Sequence, residues 1–254
     1  MNSDAQHPLP LARGGYVARM AVGREDIRAA QAMRHVSFVD AAGREAMEDG
    51  LDQDAYDALC DHILIEDTDG RLVGCYRVQF FATPEDLNNS YSAQYYNLDG
   101  LSDLRGGFLE LGRFCVTSDA ADSDVLRIAW GMLARLVDLY GAAILFGCSS
   151  FAGTDPSRYT AAFDLLGAKH ASPRVSTLAD ETRQFQTSLE NPSDRAVAIA
   201  QIPPLLRTYL SMGGWVSDHA VVDREMNTLH VFTGLEIASI PPARAKALRA
   251  IAKG

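Results

Sequence analysis

Glu110 and Arg113 stand three residues apart in an apolar run, Glu-Leu-Gly-Arg-Phe-Cys-Val, and set a proton acceptor beside a fixed cation. Earlier in the chain, Arg34, Asp54, Asp57 and Arg77 repeat those two chemistries. A carboxylate grips an ammonium, and a guanidinium grips a carboxylate, by charge-assisted hydrogen bonds. The same groups can equally satisfy one another, Glu110 as a salt bridge with Arg113 and the other four as an internal network that pins the first helix to a sheet. Other chemistries have less to stand on. Cys60, Cys75, Cys115 and Cys148 form no Cys-x-x-Cys pair, so no zinc or dithiol redox site is expected, only buried free thiols. Ser149 and Ser150 lack the Gly-x-Ser-x-Gly elbow of a hydrolase. Asp218, His219 and Asp223 can line a polar site or sit in a surface turn, and His62 reads as packed at a strand entry.

These side chains need elements to hold them. From Arg24 to Asp40, the residues Ile27, Ala30, Met33, Val36 and Val39 recur at helical spacing, which puts Arg34 and Phe38 on a first helix. His62 to Glu66 and Leu72 to Phe81 read as strands around Asp67-Thr-Asp-Gly70, a hairpin signal. Phe108 to Val116 is a third strand. In a regular strand, residues three apart face opposite sides, so Glu110 and Arg113 enter one cleft only if the strand is irregular. A bulge at Gly112 would add a residue and reset the phase. A mostly buried helix follows from about Asp124 to Tyr140, then a strand from Ala142 to Cys148 that is apolar on both faces. Thr154-Asp155-Pro156 opens a helix expected to stop at Gly167. Helix Pro204 to Gly213, strand Leu229 to Ile237 and a Pro-led helix from Pro242 to Lys253 complete the chain. The succession predicts an α/β (α+β) mixed sheet with helices packed on it, one main domain over 16–237 and a basic helical extension over 238–254.

Hydrophobic content of 47% and charged content of 22% are those of an ordinary globular chain. Between Asp40 and Asp69 lie eleven acids against one base, Arg44, which accounts for the whole net charge of −10. Such a field attracts cations and repels polyanions, so no nucleic-acid partner is expected. The first twenty residues carry Pro8, Pro10 and Gly14-Gly15 in place of an apolar run, and Ala142 to Cys148 is far too short to span a bilayer. A cytoplasmic protein, with at most peripheral contact with lipid at the inner membrane face, is expected.

Arg34 and Phe38, the segment Asp54-Ala-Tyr-Asp57-Ala-Leu-Cys-Asp61-His62, Gly74-Cys-Tyr-Arg77 and Glu110-Leu-Gly-Arg113 resemble, in order and spacing, the acyl-homoserine-lactone synthases. These are a GNAT branch that takes acyl groups from acyl carrier protein. The second half is more similar to another branch, the ornithine-lipid N-acyltransferases. The resemblance rests on Glu110–Val116, on Gly-Cys-Ser-Ser-Phe-Ala-Gly-Thr-Asp-Pro (147–156), on Pro-Pro-Leu-Leu-Arg-Thr-Tyr-Leu (203–210) and on Gly-Gly-Trp-Val-Ser-Asp-His-Ala-Val-Val-Asp (213–223). It covers the chain from about Tyr16 to Ile237.

The resemblance implies a GNAT-like fold and formation of lyso-ornithine lipid, in which a 3-hydroxyacyl group passes from acyl carrier protein to the α-amine of ornithine. Related enzymes use glutamine or other amino acids; the local excess of acids favours ornithine, whose side chain is an ammonium. An amino group with a pKa of about 8 must lose a proton before it attacks a thioester. Glu110 is the expected base. Arg113 is placed with it, because GNAT strands carry a bulge there whose backbone N–H groups can hold the oxyanion. Expected substrate contacts are Arg34, Asp54, Asp57, Arg77, Phe114, Cys115, Val116 and Asp218. The donor is the acyl-phosphopantetheine of the carrier protein, with no bound cofactor. Its phosphate is expected near Ser123 and Arg127 at the start of a helix, although Arg127 can instead pair with Asp124. The turn from Thr117 to Ser123 lacks the glycines of the usual coenzyme A loop and carries acids, which suits one phosphodiester better than a diphosphate.

The position where many GNAT enzymes place a tyrosine acid is Phe163. A thiol with a pKa of about 8.5 can leave as thiolate, so no acid is assigned. Arg244, Lys246, Arg249 and Lys253 make the last helix basic, to meet the acidic carrier protein, an anionic membrane or plain solvent. The alternatives are an autoinducer-type synthase, a coenzyme A-dependent N-acetyltransferase and a catalytically silent protein that binds acyl carrier protein.

Overall fold

The structure, a computed structural model, describes residues 8–40, 49–117, 119, 123–185 and 194–253. Its strands are β1 (Leu11–Arg13), β2 (Tyr16–Met20), β3 (Asp61–Asp67), β4 (Leu72–Phe81), β5 (Tyr96–Asn97), β6 (Gly107–Val116), β7 (Ala142–Ala152), β8 (Ala171–Ser172), β9 (Ser176–Thr177), β10 (Thr182–Gln184), β11 (Trp215–Ser217), β12 (His219–Asp223) and β13 (Thr228–Glu236). The helices are α1 (Gly23–His35), α2 (Ser123–Tyr140), α3 (Thr160–Lys169), α4 (Asp194–Gln201), α5 (Pro204–Ser211) and α6 (Pro242–Ala252). The chain divides into two compact units: Met1–Phe80 with Leu111–Ala142 and Pro242–Gly254, and Phe81–Glu110 with Ala143–Pro241.

In the first unit β1, β2, β3 and β4 form an antiparallel run. Gly14 and Gly15, at φ 60 and 82, make the two-residue turn between β1 and β2, a conformation that suits glycine. The 111–116 part of β6 lies beside β4, with Thr117 N donating to Val73 O over 2.9 Å. Helix α1 has Glu25 and Asp26 in its first turn and Arg34 and His35 in its last, both favourable to the helix dipole. It buries the face bearing Ala30, Gln31 and Arg34, then continues through a π-helical turn, Val36–Asp40. Arg19 clamps this helix to the strands, bonding Asp26 at 2.5 and 3.0 Å and Glu66 at 2.6 and 3.0 Å. Helix α2 is buried along most of its length, as its sequence implies.

The C-terminal helix is docked on α2. A Cβ on Gly131 would sit 2.6 Å from Ile251 Cγ2 and 2.8 Å from Leu11 Cδ2, so only a glycine lets α6 and β1 approach this closely. Gly131→Val is expected to cost about 1–3 kcal/mol by overpacking. Trypsin should then cut within α6 at lower protease concentration than in the wild type. Unchanged melting and unchanged cleavage would show that α6 does not depend on this contact.

In the second unit β7 pairs antiparallel with β13 from Ala152↔Thr228 to Ile144↔Glu236. β13 also pairs antiparallel with β11 and β12, β12 with β10, and β11 runs parallel to β8, so the sheet is mixed. Phe81, Tyr96, Phe108, Phe146 and Phe232 centre its apolar core. Two elements run on past the end that the sequence reading gives them. β7 runs on to Ala152 because β13 supplies a partner at every step. Helix α3 does not stop at Gly167; it continues to Lys169, with His170 N closing onto Leu166 O at 2.8 Å.

Candidate active site

A buried ion network occupies the first unit. Asp54 caps a 3-10 turn, Ala55–Ala58, accepting from Tyr56 N at 2.9 Å, and that turn aims Asp57 inward. Arg34 on α1 forks onto Asp57 with two bonds of 2.8 Å, and its Nε reaches Asp52 at 2.9 Å. Its Nη2 also donates to the Asp52 carbonyl. Arg77 on β4 forks onto Asp54 at 2.6 and 2.8 Å and touches Asp57 at 2.6 Å. Arg113 on β6 bonds Asp52 and Asp54, each at 3.1 Å. Gln31 adds a bond of 2.9 Å to Asp57, and His62 Nε2 meets the Asp57 carbonyl at 3.0 Å.

Three guanidiniums thus face three carboxylates, with Arg34 only 1% exposed. Burial alone would push the carboxyls of Asp57 and Asp54 up, but the arginines outweigh it and hold both below the usual carboxylate range. Of the two roles open to Asp54, Asp57, Arg34 and Arg77, the structure displays the internal network. Asp52 and Gln31 belong to it and were not singled out from sequence. Gln31 lies one turn before Arg34 on the same helix face, a signal that was available.

Strand β6 departs from regular geometry where a bulge is predicted. Arg113 has φ 52, in the left-handed region that costs a side-chain-bearing residue roughly 1–2 kcal/mol. Its two ion pairs hold it there. Phe114 stacks on Tyr76 at 5.7 Å, and Cys115 Sγ lies 3.5 Å from Cys75 Sγ, both as free thiols. Val116 is half-buried. On the other side of the irregularity Glu110, 5% exposed, accepts Tyr91 N at 2.9 Å, Ser92 N at 2.8 Å and Ser92 Oγ at 2.6 Å. Cys148 Sγ lies 3.6 Å from the same Ser92 Oγ.

At the start of α2, Ser123 is exposed and Arg127 bonds Asp124 at 2.7 Å, the ion pair that was its alternative. Residues 118 and 120–122 of the expected phosphate turn lie outside the described residues. A Cβ on Gly14 would stand 3.0 Å from Asp124 Oδ2, so the β1–β2 turn approaches this helix start closely. Asp218, in the second unit, has a half-exposed side chain and bonds His219 Nδ1 at 2.7 Å. His219 itself is 1% exposed, which rules out the surface-turn reading for it. Among the described residues, no group of three His, Cys, Asp or Glu side chains is placed to hold a metal, and no helix is long and apolar enough to cross a membrane.

Comparison with known proteins adds a family. An acetyltransferase (GNAT) domain model matches residues 33–131. The L-ornithine N(alpha)-acyltransferase of Rhodobacter capsulatus is 33% identical, over 85% of this chain and 88% of its own length. That of Rhizobium meliloti is 30% identical, over 87% and 80%. Among solved structures, the coenzyme A-dependent acyl-homoserine lactone synthase BjaI, with SAM and isopentyl-CoA, aligns at a TM-score of 0.49 and 14% identity, over 93% of this chain and 88% of that one.

Proposed function

The chain belongs to the L-ornithine Nα-acyltransferase family of GNAT acyltransferases, and from that premise we propose that it moves a 3-hydroxyacyl group from acyl carrier protein to the α-amine of ornithine, giving lyso-ornithine lipid. The observation that carries this reading is similarity to relatives named for ornithine acylation, extending over 85% of this chain and 88% of the relative.

In this reading the α-ammonium first loses a proton to Glu110, whose carboxylate is oriented by the three donors of Tyr91 and Ser92. The neutral amine attacks the thioester carbonyl, the C–S bond breaks, and the phosphopantetheine sulfur leaves as thiolate and takes up the proton that the nitrogen sheds in becoming an amide. Backbone N–H groups of Phe114 and Cys115, which follow the left-handed Arg113, are the proposed donors to the oxyanion. Arg34, Arg77 and the three aspartates act by holding Arg113 in that conformation. Ser123 and Arg127 are the proposed contacts of the carrier protein's phosphodiester, Arg127 by exchanging Asp124 for phosphate. The carrier protein is proposed to dock on basic residues of α6. Of these, Arg249 is engaged with Asp138 at 2.8 and 3.0 Å and Arg244 has a partner of its own, so Lys246 and Lys253 are the expected contributors.

The test is incubation with 3-hydroxyacyl carrier protein and a panel of ornithine, glutamine and other amino acids, with mass spectrometry of the lipid fraction. Acyl-ornithine formed from the carrier-protein donor, and at least tenfold less from the matching acyl-coenzyme A, is the expected result. Absence of acyl amide with any acceptor would remove the enzyme reading, and glutamine as the sole acceptor would replace ornithine.

A further inference from the structure

On the second unit's sheet, β12 and β13 pair Val221 with His230. Alternation along a strand therefore turns His219 and Asp223 to the same face as His230. Tyr95 and Tyr96 cover that face: the Tyr96 ring lies 5.6 Å from both imidazoles, and the Tyr95 ring meets His230 edge-on at 4.7 Å. Both histidines are buried, at 1% and 2% exposure.

Their partners determine which nitrogens carry hydrogen. His219 Nδ1 faces the Asp218 carboxylate at 2.7 Å, so it is the donor. Tyr96 gives its single hydroxyl proton to the His230 carbonyl at 3.1 Å, so His230 Nδ1 donates to the Tyr96 oxygen at 3.0 Å. Nε2 of His230 is then a bare acceptor, and burial pushes this imidazole down to about 4, which keeps it neutral. Neither Nε2 has a hydrogen-bond partner in the protein. A buried polar atom without a partner costs about 1–3 kcal/mol, so two around one tyrosine call for an explanation.

Charge supplies the second half of the argument. Asp223 is 4% exposed and accepts from Tyr95 Oη at 3.2 Å and Met226 N at 2.8 Å, both neutral donors. Among the described residues neither Asp218 nor Asp223 is paired with an arginine or lysine. In the first unit, by contrast, Asp52, Asp54 and Asp57 are each matched to a guanidinium. The second unit therefore combines one buried carboxylate that meets only neutral donors, Asp223, with two imidazole Nε2 atoms that have no partner. That set asks for a cation that also donates hydrogen bonds. A primary ammonium has three N–H donors, and aromatic rings around it are favourable.

We propose that the face formed by His219, His230 and Asp223 under Tyr95 and Tyr96 is a binding site for a primary alkylammonium, the side-chain ammonium of the acceptor amino acid. This rests on the acyltransferase reading for the identity of the ligand but not for the chemistry of the site. Glutamine, with a neutral amide at that position, would leave the buried Asp223 carboxylate uncompensated, so the site selects ornithine.

The test is a titration of the wild-type protein, labelled with ¹⁵N-histidine, with ornithine, glutamine and norvaline, the last keeping the carbon chain but lacking the side-chain ammonium. Ornithine is expected to move the Nε2 resonances of two buried imidazoles; glutamine and norvaline are not. His230→Leu should weaken ornithine binding at least tenfold. It should also leave the melting temperature of the unliganded protein equal or higher, because a partnerless buried nitrogen is replaced by a methyl group while Tyr96 keeps the backbone carbonyl. Ornithine that binds by calorimetry without moving either imidazole would overturn the site and leave the acyl-transfer reading standing. Imidazole shifts in a protein that forms no acyl-ornithine would keep the site and remove that reading. No shift at saturating ornithine overturns the proposal, as does an equal shift with norvaline.

Discussion

Asp57→Ala is expected to destabilise the protein by about 3–5 kcal/mol, the usual cost of removing one partner from a buried ion pair. For a chain of this size that is on the order of 10 °C in melting temperature. The cost comes from what the substitution leaves behind. Arg34 loses both arms of its fork, Gln31 loses its acceptor, and Arg77 keeps only Asp54. Buried guanidinium N–H groups then have neither water nor carboxylate. Scanning calorimetry of the wild type, Asp57→Ala and Asp57→Asn gives the order wild type, then Asn, then Ala, since the amide retains one acceptor oxygen.

The network also predicts a pH dependence. Asp54 and Asp57 have carboxyls held below their unfolded value of about 3.9. Groups depressed in this way contribute stability that is fully present above the unfolded pKa and is lost as pH falls toward the folded one. Wild-type melting should therefore drop between about pH 5 and pH 3, and more steeply than that of Asp57→Asn. Equal slopes in the two proteins would mean that the aspartates are not stabilised by the arginines in the folded state.

Glu110→Gln is expected to lower kcat/KM for ornithine acylation by about 10²–10⁴, the range for loss of a general base. The substitution also disturbs an anchor. Two backbone N–H groups and the Ser92 hydroxyl converge on the carboxylate, and an amide nitrogen in place of one oxygen sets donor against donor. A nucleophile that is already neutral at the assay pH, such as hydroxylamine, separates the two effects. Proton removal is then no longer required, and the variant should recover most of its rate. A defect of the same size with hydroxylamine and with ornithine would assign Glu110 to positioning the Tyr91–Ser92 segment. Ser92→Ala, which removes only the side-chain bond, should cost less than tenfold in either case.

Much of the frame around these sites was legible in the chain. Apolar spacing located α1 and α2, and the Asp-Gly step located the β3–β4 hairpin. The awkward spacing of Glu110 and Arg113 on one strand, together with the GNAT resemblance, points to an irregularity at Gly112, and the left-handed residue is its neighbour. The β1–β2 hairpin carries little periodicity in its short strands, and its one local signal is the pair of consecutive glycines, Gly14-Gly15, in the turn. β5, β8 and β9, of two residues each, have no periodicity to read.

The residue types alone determined that carboxylates and guanidiniums would do the polar work, and the long motifs determined the family. Periodicity, turn chemistry and motif order are local properties, carried by neighbours in the chain. Which carboxylate meets which cation is decided by sheet register and helix docking, across 61 residues for Arg113 and Asp52 and 134 for Tyr96 and His230. Only the tertiary structure shows that Asp54 and Asp57 are consumed by arginines, while Asp223 and two imidazole nitrogens are not. Burial is what makes that difference consequential, because in water each of those groups would be satisfied by solvent wherever the chain placed it.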